Sequence, residues 1–565
     1  MTRELGMRPR RNSPIGPGII LFLALVIGGW FLQHGMAQEQ GSNERGRLFD
    51  DVVDYVSSQY VEDVDRETLY QYAIQGILEG LGDPNTSLLD PTAYEDFRIQ
   101  TEGDYGGVGL QIAEREDFIT VVSPLPGTPG ARAGIRAGDR ITRVGEESTR
   151  GWSVEEAVQI LRGPEGSDVE VTIERPGVDS PIRFTLTRQE IQLRSVPYAT
   201  LLERDVGYVP LGMFSQSSTT EIREAVDSLR AEGATSIVLD LRGNPGGVLD
   251  QGVGVADLFL ESGADVVETR GPNGGPNGVL RASQPDRYEG MPVAVLVDRG
   301  SASASEIVAG ALQDHDRALL LGTSTFGKGS VQSLFPISGG HVLKLTTARW
   351  YTPLGRSIDR VENPLDEAGP DPLVEEEHLP ITVMGQYAIP PDTAGRPTVT
   401  SAAGRTLYGG GGIVPDLLIP MDTLTTDEQA AVRRLFEEAG VYSVGVFNYA
   451  VQYLRENERI GPDFDVGEAE LDALYTLLSE QEGFTADRDT FERARRFVEL
   501  QLETEIAGQG WGDLEGFRRR MQYDEPLQTA IDLLRGATTP EDLFSGAGVP
   551  IPDAARAASP AGGPR

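Results

Sequence analysis

The sequence predicts a multidomain α/β (α+β) chain, with helices at the N-terminus, a small β/α domain inserted after them, an α/β core, and a helical region at the C-terminus. Three observations carry that reading. From Tyr198 to about Pro420, strand-like runs such as Ser236-Ile237-Val238-Leu239-Asp240-Leu241 alternate with helical ones, the pattern of an α/β core. Before it, the alternating run Val169-Glu170-Val171-Thr172-Ile173 and the amphipathic stretch Ser153 to Leu161 stand among glycine-rich turns. At both ends apolar residues recur at helical spacing, as in Leu48, Val52, Val53 and Val56, and again from Leu424 to Arg535.

The elements follow in chain order. Residues 1–41 hold a basic flank (Arg3, Arg8, Arg10, Arg11), an apolar segment over about 15–32 (Ile15 to Leu32), and a linker with no basic residue before Arg45. That charge asymmetry keeps the N-terminus in the cytoplasm and exports the body. The expected location is therefore the cell envelope, periplasmic or otherwise extracytoplasmic, with this single segment as an inner-membrane anchor. Gly35-Met36-Ala37 has the small-x-small form of a cleavage site, so a removed leader stays open as the alternative. Residues 42–100 read as amphipathic helices, 101–191 as the small β/α domain, and 195–422 as the core. Within the core, 361–400 is rich in Pro, Asp and Glu and reads as a surface insertion. Residues 423–536 are helical by periodicity, and the Ala-, Pro- and Gly-rich tail 537–565 reads as disordered.

Composition narrows the function. The 565 residues carry 87 acidic against 49 basic side chains, a net charge of −38. Such an excess disfavours nucleic acid and anionic membrane surfaces as partners. There is no cysteine, which excludes zinc-thiolate sites and a cysteine nucleophile. The four histidines, His34, His315, His341 and His378, sit in no metal-ligand spacing, so no metal and no other cofactor is expected.

A serine becomes a nucleophile only when a neighbour takes its proton, and a lysine can do so once its own proton is labile. Ser303, in Gly300-Ser301-Ala302-Ser303-Ala304-Ser305-Glu306, and Lys328, in Thr325-Phe326-Gly327-Lys328-Gly329-Ser330-Val331-Gln332, offer that pair. Each half has a plainer reading. Ser303 and Glu306 fit a Ser-x-x-Glu capping box ahead of Ile307-Val308-Ala309. Gly322 to Lys328 nearly spells a phosphate-binding loop, but Gly329 stands where a hydroxyl residue belongs and a strand pattern follows where a helix should. A Ser-His-Asp triad through His315 or His341 is the remaining rival. An ordinary lysine, with a pKa of about 10.4, is a poor base near neutrality. Here Gly327 and Gly329 let the backbone close around the amine, Phe326 and Val331 offer apolar cover, and the Gln332 amide can hold it. The turn Arg242-Gly243-Asn244-Pro245-Gly246-Gly247 presents Gly246 or Gly247 as an oxyanion donor, with the Ala304 amide at the helix start as the second.

Together these motifs resemble the C-terminal processing peptidases, or tail-specific proteases. The similarity covers about residues 45–420 and rests on Leu241 to Gly247, Gly300 to Glu306 with Ala309-Gly310-Ala311-Leu312, Thr325 to Gln332, and Tyr351-Thr352-Pro353 with Gly355-Arg356-Ser357-Ile358. It implies a serine endopeptidase with Ser303 as nucleophile, Lys328 as general base and Gln332 orienting the lysine. The sequence departs from the family pattern in two places: Asp298-Arg299 replaces an asparagine-led approach to the nucleophile, and Thr323 stands where an acid is often found.

The block 101–191, with Gly106-Gly107-Val108-Gly109-Leu110 and then Gly130 to Ile141, resembles a PDZ domain. In that fold a peptide adds as a strand, which implies that the amides of Val108, Gly109 and Leu110 receive its C-terminal carboxylate. Arg162, closing the amphipathic stretch, is the candidate for gating between peptide binding and the core. The implied partners are proteins or peptides with free C-termini, the membrane through the N-terminal segment, and either a second copy in a homo-oligomer or an adaptor protein. The alternative function is an inactive, membrane-anchored PDZ adaptor or scaffold.

Overall fold

The computed structural model describes residues 45–549 except 116, 204, 273–275, 361–378 and 387–392. The apolar segment 15–32 lies outside these residues. Among the described residues, no helix is long and apolar enough to cross a membrane. The chain divides into two units, residues 1–88 and 89–565. In the first, helices span 45–59 and Arg66–Glu79, the second capped by Asp65, whose carboxylate accepts from the Thr68 N–H at 3.0 Å. The expected helical stripe forms, yet Leu48 and Val52 on it are exposed.

The second unit is built on a six-stranded sheet in the order Thr200–Leu202, Val206–Pro210, Ser236–Asp240, Val293–Val297, Leu319–Gly322, Leu417–Leu418. All neighbours are parallel except the first pair. Its central strands are continuous apolar runs because both faces are covered. Successive side chains of a strand point to opposite faces, and Ser236–Asp240 shows the consequence. Ile237 and Leu239 pack with Ile222, Val226, Val255, Ile307 and Val308, from the helices Ser218–Glu232, Leu249–Asp257 and Ala304–Asp314. Val238 packs on the other side with Phe517, Leu527, Ile531 and Leu534, from the C-terminal helices Asp513–Arg520 and Glu525–Arg535.

A second sheet holds the hairpin Ser330–Pro336 with Val342–Tyr351, which pairs onward with Asp265–Arg270. The small domain is an antiparallel sheet in the order Leu110–Arg115, Phe118–Pro124, Arg140–Val144, Asp168–Glu174, Ile182–Thr187, so Leu110–Arg115 is an edge strand. Its helix is Val154–Leu161, and Ser153 and Glu156 form the full reciprocal cap.

Two expectations need correction. Part of the region read as a surface insertion is interior: Ile381 and Val383 are fully buried in the cluster formed by helices Thr426–Phe436, Ala439–Glu456, Glu468–Ser479 and Arg495–Trp511. Two alternating apolar residues are enough to anchor a strand-like segment, whatever the acidic composition around it. The tail from 537 is not wholly irregular either. Pro540–Gly546 is a helix, started by the Thr539–Asp542 cap and held by buried Leu543 and Phe544.

Candidate active site

Three loops, 241–248, 298–303 and 323–329, follow the carboxyl ends of three adjacent parallel strands, the edge at which such sheets place their sites. Ser303 stands at the N-cap position of helix Ala304–Asp314 with φ 54° and ψ −112°, a backbone region that side chains other than glycine rarely occupy. Among the described residues no hydrogen bond joins its hydroxyl to the Glu306 N–H, which donates instead to the Ser303 carbonyl at 2.9 Å. Ser303 is half-buried while every residue of the helix behind it is buried.

The capping-box reading is therefore only half realised, and the other half has a different use. Buried Glu306 accepts from the Ser303 N–H (2.8 Å) and the Lys328 N–H (2.9 Å) at Oε2. At Oε1 it accepts from Thr325 Oγ1 (2.6 Å) and the Gly327 N–H (2.7 Å). One carboxylate thus fixes the backbones of both Ser303 and Lys328. Burial raises its pKa above the usual carboxylate value, and the hydrogen bonds pull the other way.

Lys328 is half-buried, and its carbonyl accepts from the indole N–H of buried Trp350 at 3.1 Å. Phe326, expected to cover the amine, instead faces solvent at 50 % exposure. Thr325 takes the inward position beside it, and Val331 packs on the core. Gly327 has φ 92°, and a Cβ there would stand 2.9 Å from the Gly412 nitrogen, so the glycine run 409–412 closes directly on this loop. Strand Ser330–Pro336 follows Lys328, which settles the phosphate-loop question against a helix. Gln332 on that strand donates to Ser330 Oγ (2.9 Å) and Thr346 Oγ1 (3.3 Å), bonds that fix its carboxamide within the hairpin.

The glycine turn is knitted to the 298–303 loop by Asn244. Its carbonyl accepts from the Ala302 N–H (3.0 Å) and Ser305 Oγ (2.9 Å), while its side chain donates to the Leu211 carbonyl (2.7 Å). Asp298, one of the departures from the family pattern, bonds the same two loops: its Oδ1 accepts from the N–H groups of Gly243 (2.9 Å), Gly300 (2.9 Å) and Ser301 (3.1 Å). A Cβ at Gly246 would lie 2.8 Å from Ser303 Cβ and 3.0 Å from the Ala304 nitrogen, so only glycine permits this approach. Gly246 itself is corrected as an oxyanion donor, because its N–H is engaged by Asn244 Oδ1 at 2.9 Å. Among the described residues, no hydrogen bond takes up the N–H of Gly247 or of Ala304.

The histidines do not compete. His315 sits at the far end of the 11-residue helix Ala304–Asp314, about 16 Å along it, with Nε2 2.7 Å from the Asp265 carbonyl. His341 is at the tip of the hairpin, about 20 Å along the strands from the Lys328 end.

A carboxy-terminal-processing protease of Bartonella bacilliformis is 40% identical over 365 residues, spanning 64% of this chain and 82% of that one. This chain belongs to the C-terminal processing peptidases. The peptidase family S41 model matches residues 205–366, a PDZ domain model matches 120–175, and the activating protease CtpB N-terminal domain model matches 32–93. A second family member, from a Picosynechococcus species, is 39% identical over 325 residues, 57% of this chain and 76% of that one. Among solved structures, the photosystem II D1 C-terminal processing protease is 33% identical, covers 54% of this chain and 83% of its own, and superposes with a TM-score of 0.33. The chain is thus a serine-type C-terminal processing peptidase carrying a PDZ domain.

In the PDZ domain of this peptidase the loop at Val108, Gly109 and Leu110 is pinned from behind. The Val108 carbonyl accepts from the Gly130 N–H (2.9 Å), and the Gly109 carbonyl accepts from the Leu125 N–H (2.9 Å) and Thr128 Oγ1 (3.0 Å). Gly109 has φ 70°, with Thr128 packed where a Cβ would be. Leu110 lies opposite Pro124, which has no N–H to give, so by ladder alternation its polar groups face the open edge. Arg162 is no bare surface charge: Nη1 donates to Asp96 at 2.6 Å and the guanidinium lies over Tyr105, 5.1 Å from the ring centre. Asp96 belongs to helix Pro91–Glu102, not to the catalytic core. The end of that helix reaches the core, where the Gln216 N–H donates to the Thr101 carbonyl at 3.0 Å, and neighbouring Phe214 N–H donates to the Gly246 carbonyl at 2.9 Å.

Proposed function

We propose that the protein is an envelope serine endopeptidase that cuts protein tails near their C-termini through a Ser303/Lys328 dyad. The single observation that carries this is the Glu306 carboxylate, which ties the backbones of both residues, while the Glu306 N–H goes to the Ser303 carbonyl and not to its hydroxyl. Neutral Lys328 takes the Ser303 Oγ proton as the oxygen attacks the scissile carbonyl, and the N–H groups of Gly247 and Ala304 receive the developing oxyanion. The protonated amine then passes its proton to the leaving nitrogen, and water hydrolyses the acyl-serine with Lys328 again as base. Gln332 holds the lysine in line.

In the same reading the Val108, Gly109 and Leu110 amides bind the substrate's terminal carboxylate, and Arg162 gates the core through Asp96, the end of its helix, and Phe214 at the glycine turn. The body is exported and residues 15–32 anchor it. A scaffold without activity has no physical need for a buried carboxylate organising a serine and a lysine, which favours the enzyme over the adaptor.

The test is degradation of a protein with an unfolded C-terminal tail by the purified wild type beside Ser303→Ala and Lys328→Ala. Both variants are expected to fold and to lose cleavage, with the double variant no worse than either. Wild-type turnover in Lys328→Ala would remove the dyad, and a rate that does not rise with pH as the amine deprotonates would remove the lysine as base.

A further inference from the structure

The glycine turn beside the nucleophile begins at Arg242, and this arginine is buried, with 13% of its side chain exposed. Its guanidinium is taken up by two carboxylates. Asp240, at the end of the strand, accepts from Nε (2.9 and 3.1 Å) and from Nη2 (2.6 Å). The second carboxylate comes from Asp524, 282 positions later in the chain: Nη1 donates to Oδ1 at 2.8 Å and Nη2 to Oδ2 at 2.7 Å. This is the parallel, two-bond geometry that a guanidinium and a carboxylate make at their strongest. Asp524 is fixed in turn as the cap of helix Glu525–Arg535, its Oδ1 accepting from the Leu527 N–H at 3.1 Å. Tyr208 completes the cluster, donating to Asp240 Oδ2 at 2.7 Å and stacking on Phe517 of the preceding C-terminal helix at 4.4 Å.

We propose that Asp524 is a positioning residue for the peptidase reaction: the C-terminal helical region packs on one face of the sheet, clamps Arg242 along the guanidinium edge adjoining the one Asp240 holds, and so sets the 242–247 turn against Ser303. The inference rests on the reading of Gly247 as an oxyanion donor. Its physical basis is that an arginine held in two fixed forks has one orientation, whereas one fork alone leaves a pivot. Four residues beyond Arg242, the turn approaches Ser303 so closely that a Cβ on Gly246 would touch its side chain. A small rotation at Arg242 therefore moves the Gly247 N–H out of line with the reacting carbonyl, and displacement on the ångström scale is enough to cost rate without disturbing substrate capture.

Asp524→Asn keeps a competent helix cap and an acceptor oxygen but removes the second carboxylate of the fork. Leu527→Ala, on the same helix and fully buried, serves as the stability control. With a free-acid peptide substrate, Asp524→Asn is expected to lower kcat at least tenfold with KM within twofold of wild type, while Leu527→Ala lowers the melting temperature at least as much and keeps kcat at 25 °C. Combining Asp524→Asn with Arg242→Gln should cost no more than the worse single variant, because both break one clamp. Equal loss of kcat in Asp524→Asn and Leu527→Ala, additive effects in the double variant, or unchanged kcat in Asp524→Asn would each overturn the assignment. Asp524→Ser, which also keeps the cap, repeats the test should the Asn variant not fold. Wild type and Ser303→Ala run in parallel separate the two levels: an inactive wild type or an active Ser303→Ala rejects the peptidase mechanism itself, not the clamp.

Discussion

Glu306 accepts four hydrogen bonds in a buried site, and removing its charge reaches both members of the proposed dyad. A glutamine there presents one acceptor oxygen and one NH2 group to four donors, so at least one backbone N–H loses its partner, at about 1–3 kcal/mol. Glu306→Gln is expected to fold and to lose at least a hundredfold in kcat, read in the tail-cleavage assay. Its pH signature has a defined sign. Burial holds the folded-state pKa above the ordinary 4.5. The stability this contributes is therefore fully present below that ordinary value and lost as pH rises through the folded one. The difference in unfolding free energy, wild type minus Glu306→Gln, should fall as pH rises from about 4.5 across that window, as denaturant titrations at stepped pH would show; a difference that grows with pH would contradict the shift. The pattern Ser-x-x-Glu was legible in the sequence, but its use was not. At Ser153–Glu156 the same pattern closes a full reciprocal cap, whereas at Ser303–Glu306 the loop Thr325–Lys328 lands on the carboxylate and the serine hydroxyl is released. That difference depends on a contact between segments distant in sequence, which no local pattern carries.

Strand Asp168–Glu174 and helix Val154–Leu161 were legible from alternation and amphipathic spacing, because both are short-range periodicities. The direction in which the loop amides point came only with the pairing of Leu110 opposite Pro124. If the carboxylate binds there, amidating a substrate's C-terminus should weaken its engagement by about 1.5–3 kcal/mol, measured as a peptide Kd. Equal affinity for the acid and the amide would leave the loop without this task. Arg162→Ala tests the coupling of the same element to the core. Peptide Kd should stay at its wild-type value while cleavage falls, since the lost bond to Asp96 lies behind the binding edge and not in it. Wild-type cleavage with unchanged Kd would make Arg162 a brace for helix Pro91–Glu102 alone.

At the level of the whole molecule, the end of the helical region covers one face of the core sheet. Tyr208, Val238, Ala294, Leu296, Leu319 and Leu321 on one face of the sheet are covered by residues beyond 513. A chain ended at residue 511 would expose that face, and even a few side chains of this size at roughly 1.5–3 kcal/mol each exceed the net stability of a typical domain. Such a truncation is expected to yield aggregated or unfolded protein, readable by size-exclusion chromatography and circular dichroism. A soluble, folded product would show that the face finds other cover. Helical periodicity announced these helices but not the surface they pack on, because periodicity reports that one face is apolar and is silent about what meets it. The same limit hid Asp524, whose partner lies 282 positions away, and Ile381 and Val383, two apolar residues inside an acidic stretch.

The positive φ of Ser303 carries a thermodynamic consequence of its own. A side chain held in that region costs about 1–3 kcal/mol, and glycine alone is exempt. Ser303→Gly should therefore unfold at a higher denaturant midpoint than Ser303→Ala, although both lack the hydroxyl and the alanine is the better helix former. At the proposed nucleophile, selection for durability alone would have placed a glycine and left the chain without the hydroxyl that the proposed reaction needs.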